Sequence, residues 1–326
     1  MVIMNRRQTI PKHLRYTIMD FDRQFPDVDA CIEHLKEQRF PGGIAYCAKC
    51  RVEQKHHRIK GRPVYACDVC LNQISPMAGT IFEHSSTSLR LWYYAMYLMA
   101  STRCGISAKQ IQRETGVTYK TAWRMFKQIR SLLSETDMQL EGEAVEMDES
   151  YFGAKRKRGE KRGRPSKDSS KQCVVGVVER GVGKGRVFAT VATDATKATL
   201  HGIAKERILP DSVVFTDDYA SYNGLDAEGY QHRRINHSAG VYVMGDCHTQ
   251  TIDGFWMLVK SGLRGVYHNV GKHYLQTYLD EYSFRYNRRD RGNLIFNDVL
   301  QRVCERAELR PALVNPEMPV SQEAAF

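Results

Sequence analysis

The spacing of hydrophobic positions divides the chain into helical and strand-like stretches. Ala30, Cys31 and Leu35 fall on one face of a helix predicted over 28–38, which Pro41-Gly42-Gly43 ends. Residues 47–70 form a compact polar insert. An aromatic-rich helix follows over 88–101, and 107–134 reads as two helices broken at Thr115-Gly116-Val117. From Glu143 onward the period shortens to that of strands, at 144–147, 173–178 and 186–191. A helix at about 196–208 leads into a strand at 212–216, and a further short strand is expected near 233–236. Helices return from about 249 to 307. The tail after Arg310 has three prolines and no pattern, and is expected to be disordered. There is no internal repeat.

Length and composition narrow the class. With 326 residues, 42% of them hydrophobic and 26% charged, the chain is globular and long enough for two or three domains. A disordered chain, a collagen and a coiled-coil rod are excluded. The longest apolar run, 91–100, is short of the roughly 20 residues a membrane span needs. The start has no apolar core of a signal peptide, so a soluble, cytoplasmic protein with no membrane partner is expected. Lys plus Arg exceed Asp plus Glu by 48 to 37, a net charge of +11. Much of the excess sits between residues 155 and 171, where nine basic residues face two acids, a local net of +7. That distribution points to a polyanionic partner.

Four of the nine cysteines form two C-x-x-C pairs. Cys47 and Cys50 are followed, sixteen residues on, by Cys67 and Cys70. Two such turns can set four thiolates tetrahedrally around one Zn²⁺, and residues 61–66 read as a hairpin strand leading into the second, as in a zinc ribbon. The alternative is a pair of redox dithiols or unligated thiols. Cys31, Cys104, Cys173, Cys247 and Cys304 read as small buried hydrophobes.

Two features suit nucleic acid. Ser107 can cap a first helix and Thr118 a second, with Gly116 in the turn between them. The second helix would bury Ala122, Met125, Phe126 and Ile129 and show Lys120, Arg124, Lys127 and Arg130 on its other face. This is the pattern of a helix-turn-helix, the alternative being an ordinary helical pair with a solvated face. The basic loop, with Arg156, Arg158, Arg162 and Arg164, can contact phosphates without reading sequence. Its Arg162-Gly163-Arg164-Pro165 resembles the core of an AT-hook, whose arginines enter a narrow minor groove.

The acids suggest catalysis. Val145–Tyr151 is a strand carrying Glu146 and Asp148 on one face and Glu149 on the other. A second apolar strand ends at Asp217-Asp218. Asp253 and Lys260 lie seven apart on a predicted helix and share a face, while Phe255, Leu258 and Val259 can pack inward. Asp148, Asp217 and Asp253 are hard oxygen donors suited to a divalent cation, and Lys260 could hold a DNA phosphate. Tyr219 and Tyr222 read as packing or DNA contacts.

Taken together, these stretches resemble the ISXO-like insertion-sequence transposases, prokaryotic relatives of the Merlin transposons. The matching segments are Cys47…Cys70, Gly79-Thr80-Ile81-Phe82, Leu91-Trp92-Tyr93-Tyr94, Glu146-Met147-Asp148-Glu149-Ser150-Tyr151-Phe152-Gly153 and Phe215-Thr216-Asp217-Asp218-Tyr219. They continue with His248-Thr249-Gln250-Thr251-Ile252-Asp253-Gly254-Phe255-Trp256…Lys260, Gly265-Val266-Tyr267-His268 and Tyr278 to Asn287. The resemblance implies an α/β core of ribonuclease-H-like (DDE transposase) type, with an N-terminal zinc ribbon and a helical helix-turn-helix domain. It implies a metal triad with Mg²⁺ or Mn²⁺ as catalytic cofactor. Asp148 matches the first acid, Asp217 the second, and Lys260 the helix lysine. Asp253 stands where the family usually has Glu, and Gln250 where it has Asn.

The domains expected are a ribbon region over 1–78, a helical DNA-binding region over 79–140, a catalytic domain over 141–290 and a C-terminal segment over 291–326. The implied activity is cleavage at the terminal inverted repeats of the protein's own element and joining of the 3′-hydroxyl end to target DNA. The implied partners are double-stranded DNA and further copies of the chain. The alternative is a non-catalytic DNA-binding regulator or a decayed, inactive transposase. No Ser or Tyr nucleophile is assigned.

Overall fold

The computed structural model describes residues 10–308 except 103, 136–137, 154–170, 182–184, 236–248 and 269. Arg156, Arg158, Arg162 and Arg164, with Cys247 and the tail after Arg310, lie outside the described residues. Two compact units are present. One comprises the residues up to Leu132 together with those from Arg291 onward, and the other spans Leu133–Asp290.

In the first unit, α1 (Ile18–Gln24) opens on a reciprocal cap. Thr17 accepts from the Asp20 amide, and the Asp20 side chain accepts from the Thr17 amide. The next helix, α2 (Val28–Arg39), is capped by Asp27 and stops before Pro41, as the pattern predicts. Four antiparallel strands follow in sequential order, β1 (Ile44–Cys47), β2 (Val52–Arg58), β3 (Tyr65–Cys67) and β4 (Gln73–Ile74). The aromatic-rich α3 (Leu89–Ser101) buries Trp92, Tyr93, Met96 and Met99. Next come α4 (Ala108–Thr115) and α5 (Tyr119–Ser131), capped by Ser107 and Thr118 as predicted. Gly116 ends α4 at φ 71°, a left-handed position that glycine takes without steric cost. The helix Ile295–Glu308 belongs to this unit. Its Phe296 lies 5.3 Å from Tyr16 and 5.8 Å from Phe21, ring centre to ring centre.

The second unit is a five-stranded sheet built from β5 (Ala144–Phe152), β6 (Gln172–Glu179), β7 (Val187–Ala192), β8 (Val213–Asp217) and β9 (Gln231–Ile235). The spatial order is β7-β6-β5-β8-β9. The first three strands pair antiparallel, whereas β8 and β9 run parallel to β5. The helix α6 (Lys197–Arg207) covers one face, where Leu200 and Ala204 pack with Val145, Met147, Val175 and Val177. The other face takes α7 (Gln250–Gly265) and α8 (Leu275–Asn287), with Phe255, Val259 and Leu279 against Val174 and Val178. Each such fully buried side chain contributes about 1.5–3 kcal/mol.

One strand differs from expectation. β5 does not stop at Met147, where the apolar spacing ends it, but continues to Phe152, because its antiparallel partner β6 runs alongside it to Gln172. Parallel pairing with β8 stops at Glu146↔Phe215, so Asp148 sits mid-strand where pairing to one neighbour has ended and pairing to the other continues. No described helix is long and apolar enough to cross a membrane.

Candidate functional site

Two centres emerge, one in each unit. In the first, hairpins bring Cys47, Cys50, Cys67 and Cys70 together, with every pair of sulfurs within 4.8 Å. Cys47 Sγ is 3.4 Å from Cys70 Sγ, and Cys50 Sγ is 3.9 Å from Cys67 Sγ. Four thiolates around one zinc at about 2.3 Å stand about 3.8 Å apart, so the set fits Zn²⁺. The two turns are alike. The amide of Arg51 returns to Cys47 O at 2.7 Å and that of Leu71 to Cys67 O at 3.0 Å. Both residues sit in the left-handed region, at φ 57° and 60°. The Cys50 amide donates to Cys47 Sγ and draws its thiol down to about 6. Beside it, Cys50 is pushed up to about 12, first by Cys70 and then by burial. Cys47 is thus poised as a thiolate, whereas Cys50 beside it gives up its proton readily only to a cation.

In the second unit, strand register sets the acids. Glu146 pairs level with Phe215 on parallel strands, so Asp148 and Asp217, each two residues on, stand level and on one sheet face. That face is the one covered by α7, which carries Asp253 and Lys260. Asp148 is the most perturbed of the three. Its carboxyl is raised to about 8, first by burial, then by Glu149 and Asp217, with Asp253 adding to the same effect. The Trp256 indole opposes this by donating to Asp148 Oδ2 at 2.9 Å. Lys260 is half-buried, and burial lowers its ammonium below the usual lysine range, against the pull of Asp148. Its Nζ lies 5.8 Å from the Phe152 ring centre. Asp253 is exposed, and Asp217 Oδ1 accepts from the Tyr219 amide at 3.0 Å.

The three acids gather around Asp148 without closing to ligand distance of one another. Among the described residues, only the four cysteines form a metal-sized group. In charge and donor type the acids nonetheless fit a divalent cation: carboxylates whose mutual repulsion keeps one protonated lack a positive centre between them.

Several side chains stand differently from the expected pattern. Trp256 carried no role in the sequence reading, yet it touches Asp148. Its only signal was its place between Asp253 and Lys260. It fits because Gly176 lies opposite Asp148 on β6; a Cβ there would meet the Trp256 ring at 2.5 Å. Tyr222 is buried and donates to Glu149 at 2.8 Å, so its role is packing. Lys120, Arg124 and Lys127 are exposed on α5, with the Arg124 guanidinium also donating to Ser85 at 3.0 Å. Arg130 corrects the expected basic face. It is 2% exposed, and its guanidinium lies 3.6 Å from the Phe126 ring centre, because the i,i+4 spacing sets it one turn from Phe126 at the edge of the buried face. Cys104 is exposed, not buried as expected; Cys31, Cys173 and Cys304 are buried.

Comparison with known proteins adds to this geometry. Residues 139–287 match the ISXO2-like transposase domain, and residues 26–73 match the transposase zinc-ribbon domain. An uncharacterized protein in transposable element ISH50 of Halobacterium salinarum is 30% identical over 77% of this chain and 88% of its own length. An uncharacterized transposase-like protein of Haemophilus influenzae is 34% identical over 32% of this chain and 83% of its own length.

Proposed function

Since the chain belongs to the ISXO2-like transposase family, we propose that it cuts DNA at the terminal inverted repeats of its own insertion sequence and joins the freed 3′-hydroxyl end to target DNA. In this reading the second unit is a ribonuclease-H-like catalytic domain. The observation that carries it is the level placement of Asp148 and Asp217 on adjacent parallel strands, under a helix bearing Asp253 and Lys260.

Asp148, Asp217 and Asp253 would hold Mg²⁺ or Mn²⁺, which when bound supplies an activated water and offsets charge on the attacked phosphate. Trp256 fixes Asp148 by donating to its Oδ2. Lys260 extends from the same helix to seat a phosphate oxygen, and its partial burial strengthens that contact. In the first unit the ribbon holds a structural Zn²⁺ through Cys47, Cys50, Cys67 and Cys70. The pair α4 and α5 serves as a helix-turn-helix that presents Lys120, Arg124 and Lys127 to DNA. The basic segment 155–171 adds sequence-independent phosphate contacts, on the strength of its composition. Joining two element ends calls for more than one copy, so the working form is a homo-oligomer on DNA.

The test is cleavage of labelled DNA carrying the segments that flank the gene, with Mg²⁺ or Mn²⁺. Metal-dependent nicking by the wild type, lost in both Asp148→Asn and Asp253→Asn, is expected. Nicking that survives Asp253→Asn moves the third acid elsewhere. Tight, specific binding with no cutting at all supports the regulator or decayed-transposase reading instead.

A further inference from the structure

Glu146 is fully buried, with no exposed surface. Its carboxylate joins elements that the sequence separates widely. Oε1 accepts from Arg180 Nε at 2.7 Å. Oε2 accepts from the backbone amides of Thr251 and Ile252, both at 2.9 Å. The first amides of a helix have no partner within it, and Thr249 supplies no side-chain cap to α7. A carboxylate from a strand 105 residues away does so. The Arg180 guanidinium in turn lies 3.6 Å from the Phe215 ring centre on β8.

The three elements held this way are the three that carry the acids. Glu146 stands two residues before Asp148, Phe215 two before Asp217, and Thr251 two before Asp253. We propose that Glu146 and Arg180 are positioning residues that assemble the acid cluster before any cation arrives, by fixing the start of α7 to β5 and β8. This rests on the catalytic reading above. A buried ion pair is a poor device for stability alone, since an apolar pair of the same shape does as well or better. A fixed geometry between three elements is what the charged, directional version adds. The carboxylate also suits the positive end of the helix dipole.

The experiment uses the zinc-loaded full chain. First, residue-resolved amide exchange is measured without divalent cation. The Thr251 and Ile252 amides should be protected about 100-fold, although they open a helix. Exchange at the unprotected rate in the wild type overturns the proposal and needs no variant. Second, Mn²⁺ binding is followed by electron paramagnetic resonance in Glu146→Gln and in Glu146→Asp, which keeps the charge but shortens the reach. Both variants should lose protection at 251 and 252 while β6 stays protected. Mn²⁺ affinity of the folded protein should fall about 10-fold, with nicking falling in parallel. A merely structural role would lower the melting temperature and leave Mn²⁺ affinity unchanged, and that result overturns the proposal. If the wild type itself binds no Mn²⁺ and cuts no DNA, it is the catalytic reading that fails, and the positioning role with it.

Discussion

Asp148 holds its proton to about pH 8 because burial and three neighbouring carboxyl groups all disfavour the anion. The sign of the consequence follows from linkage. The folded chain keeps a proton that the unfolded chain releases near the ordinary value of 3.8, so stability is full below that value and falls as pH rises toward 8. Asp148→Asn removes the loss. In the metal-free protein the variant should melt well above the wild type at pH 8, with the gap closing toward pH 4, as calorimetry would show. A second residue-scale prediction concerns Leu71, exposed and held at φ 60° behind the second cysteine pair. A side chain costs about 1–2 kcal/mol in that region, and glycine does not clash there. Leu71→Gly should therefore raise the chemical-denaturation midpoint of the zinc-loaded protein, or leave it unchanged; a fall would mean the side chain has a contact of its own.

At the scale of an element, α5 separates two kinds of basic residue that look identical in sequence. Lys120, Arg124 and Lys127 face outward, whereas Arg130 is inside against Phe126. Replacing any of the first three by alanine should weaken DNA binding and, where the side chain meets a phosphate, reduce the salt dependence by about one counterion. Arg130→Ala should instead lower thermal stability, since it empties a buried site and removes a stacked guanidinium. Binding titrations at several salt concentrations, beside melting curves, separate the two. The helix itself was readable: Thr118 as cap and the apolar spacing of Ala122, Met125, Phe126 and Ile129 all recur in the structure. The inward turn of Arg130 was not, because a helical wheel gives a direction and the neighbouring surface decides whether it is covered.

For the whole molecule, chain order and spatial order diverge. The helix Ile295–Glu308 follows the acid-bearing unit in sequence but packs with the first, where Phe296 joins Tyr16, Phe21, Phe25 and Tyr97. Ending the chain after Asp290 would leave that aromatic cluster open to water. Losing one such aromatic from a core costs about 3–5 kcal/mol, so the truncated protein should show an early unfolding transition or aggregate. A calorimetric trace with no change in the number or position of transitions would contradict it.

The sequence alone determined most of the helices, the strands of the second unit, the cysteine quartet, the strands and helix that carry Asp148, Asp217, Asp253 and Lys260, and the family. These are local properties: periodicity, capping residues and short spacings act within a turn or a strand. It left silent whatever depends on which elements meet. The level stance of Asp148 and Asp217 follows from parallel register between strands about 70 residues apart. Trp256 reaches Asp148 only because glycine occupies the facing position on β6. Glu146 read as one more strand carboxylate, and its burial against Arg180 and the first amides of α7 exists only once three distant segments are packed. A side chain's type is written in the chain, but its partner, its exposure and hence its charge state are set by the tertiary contacts around it.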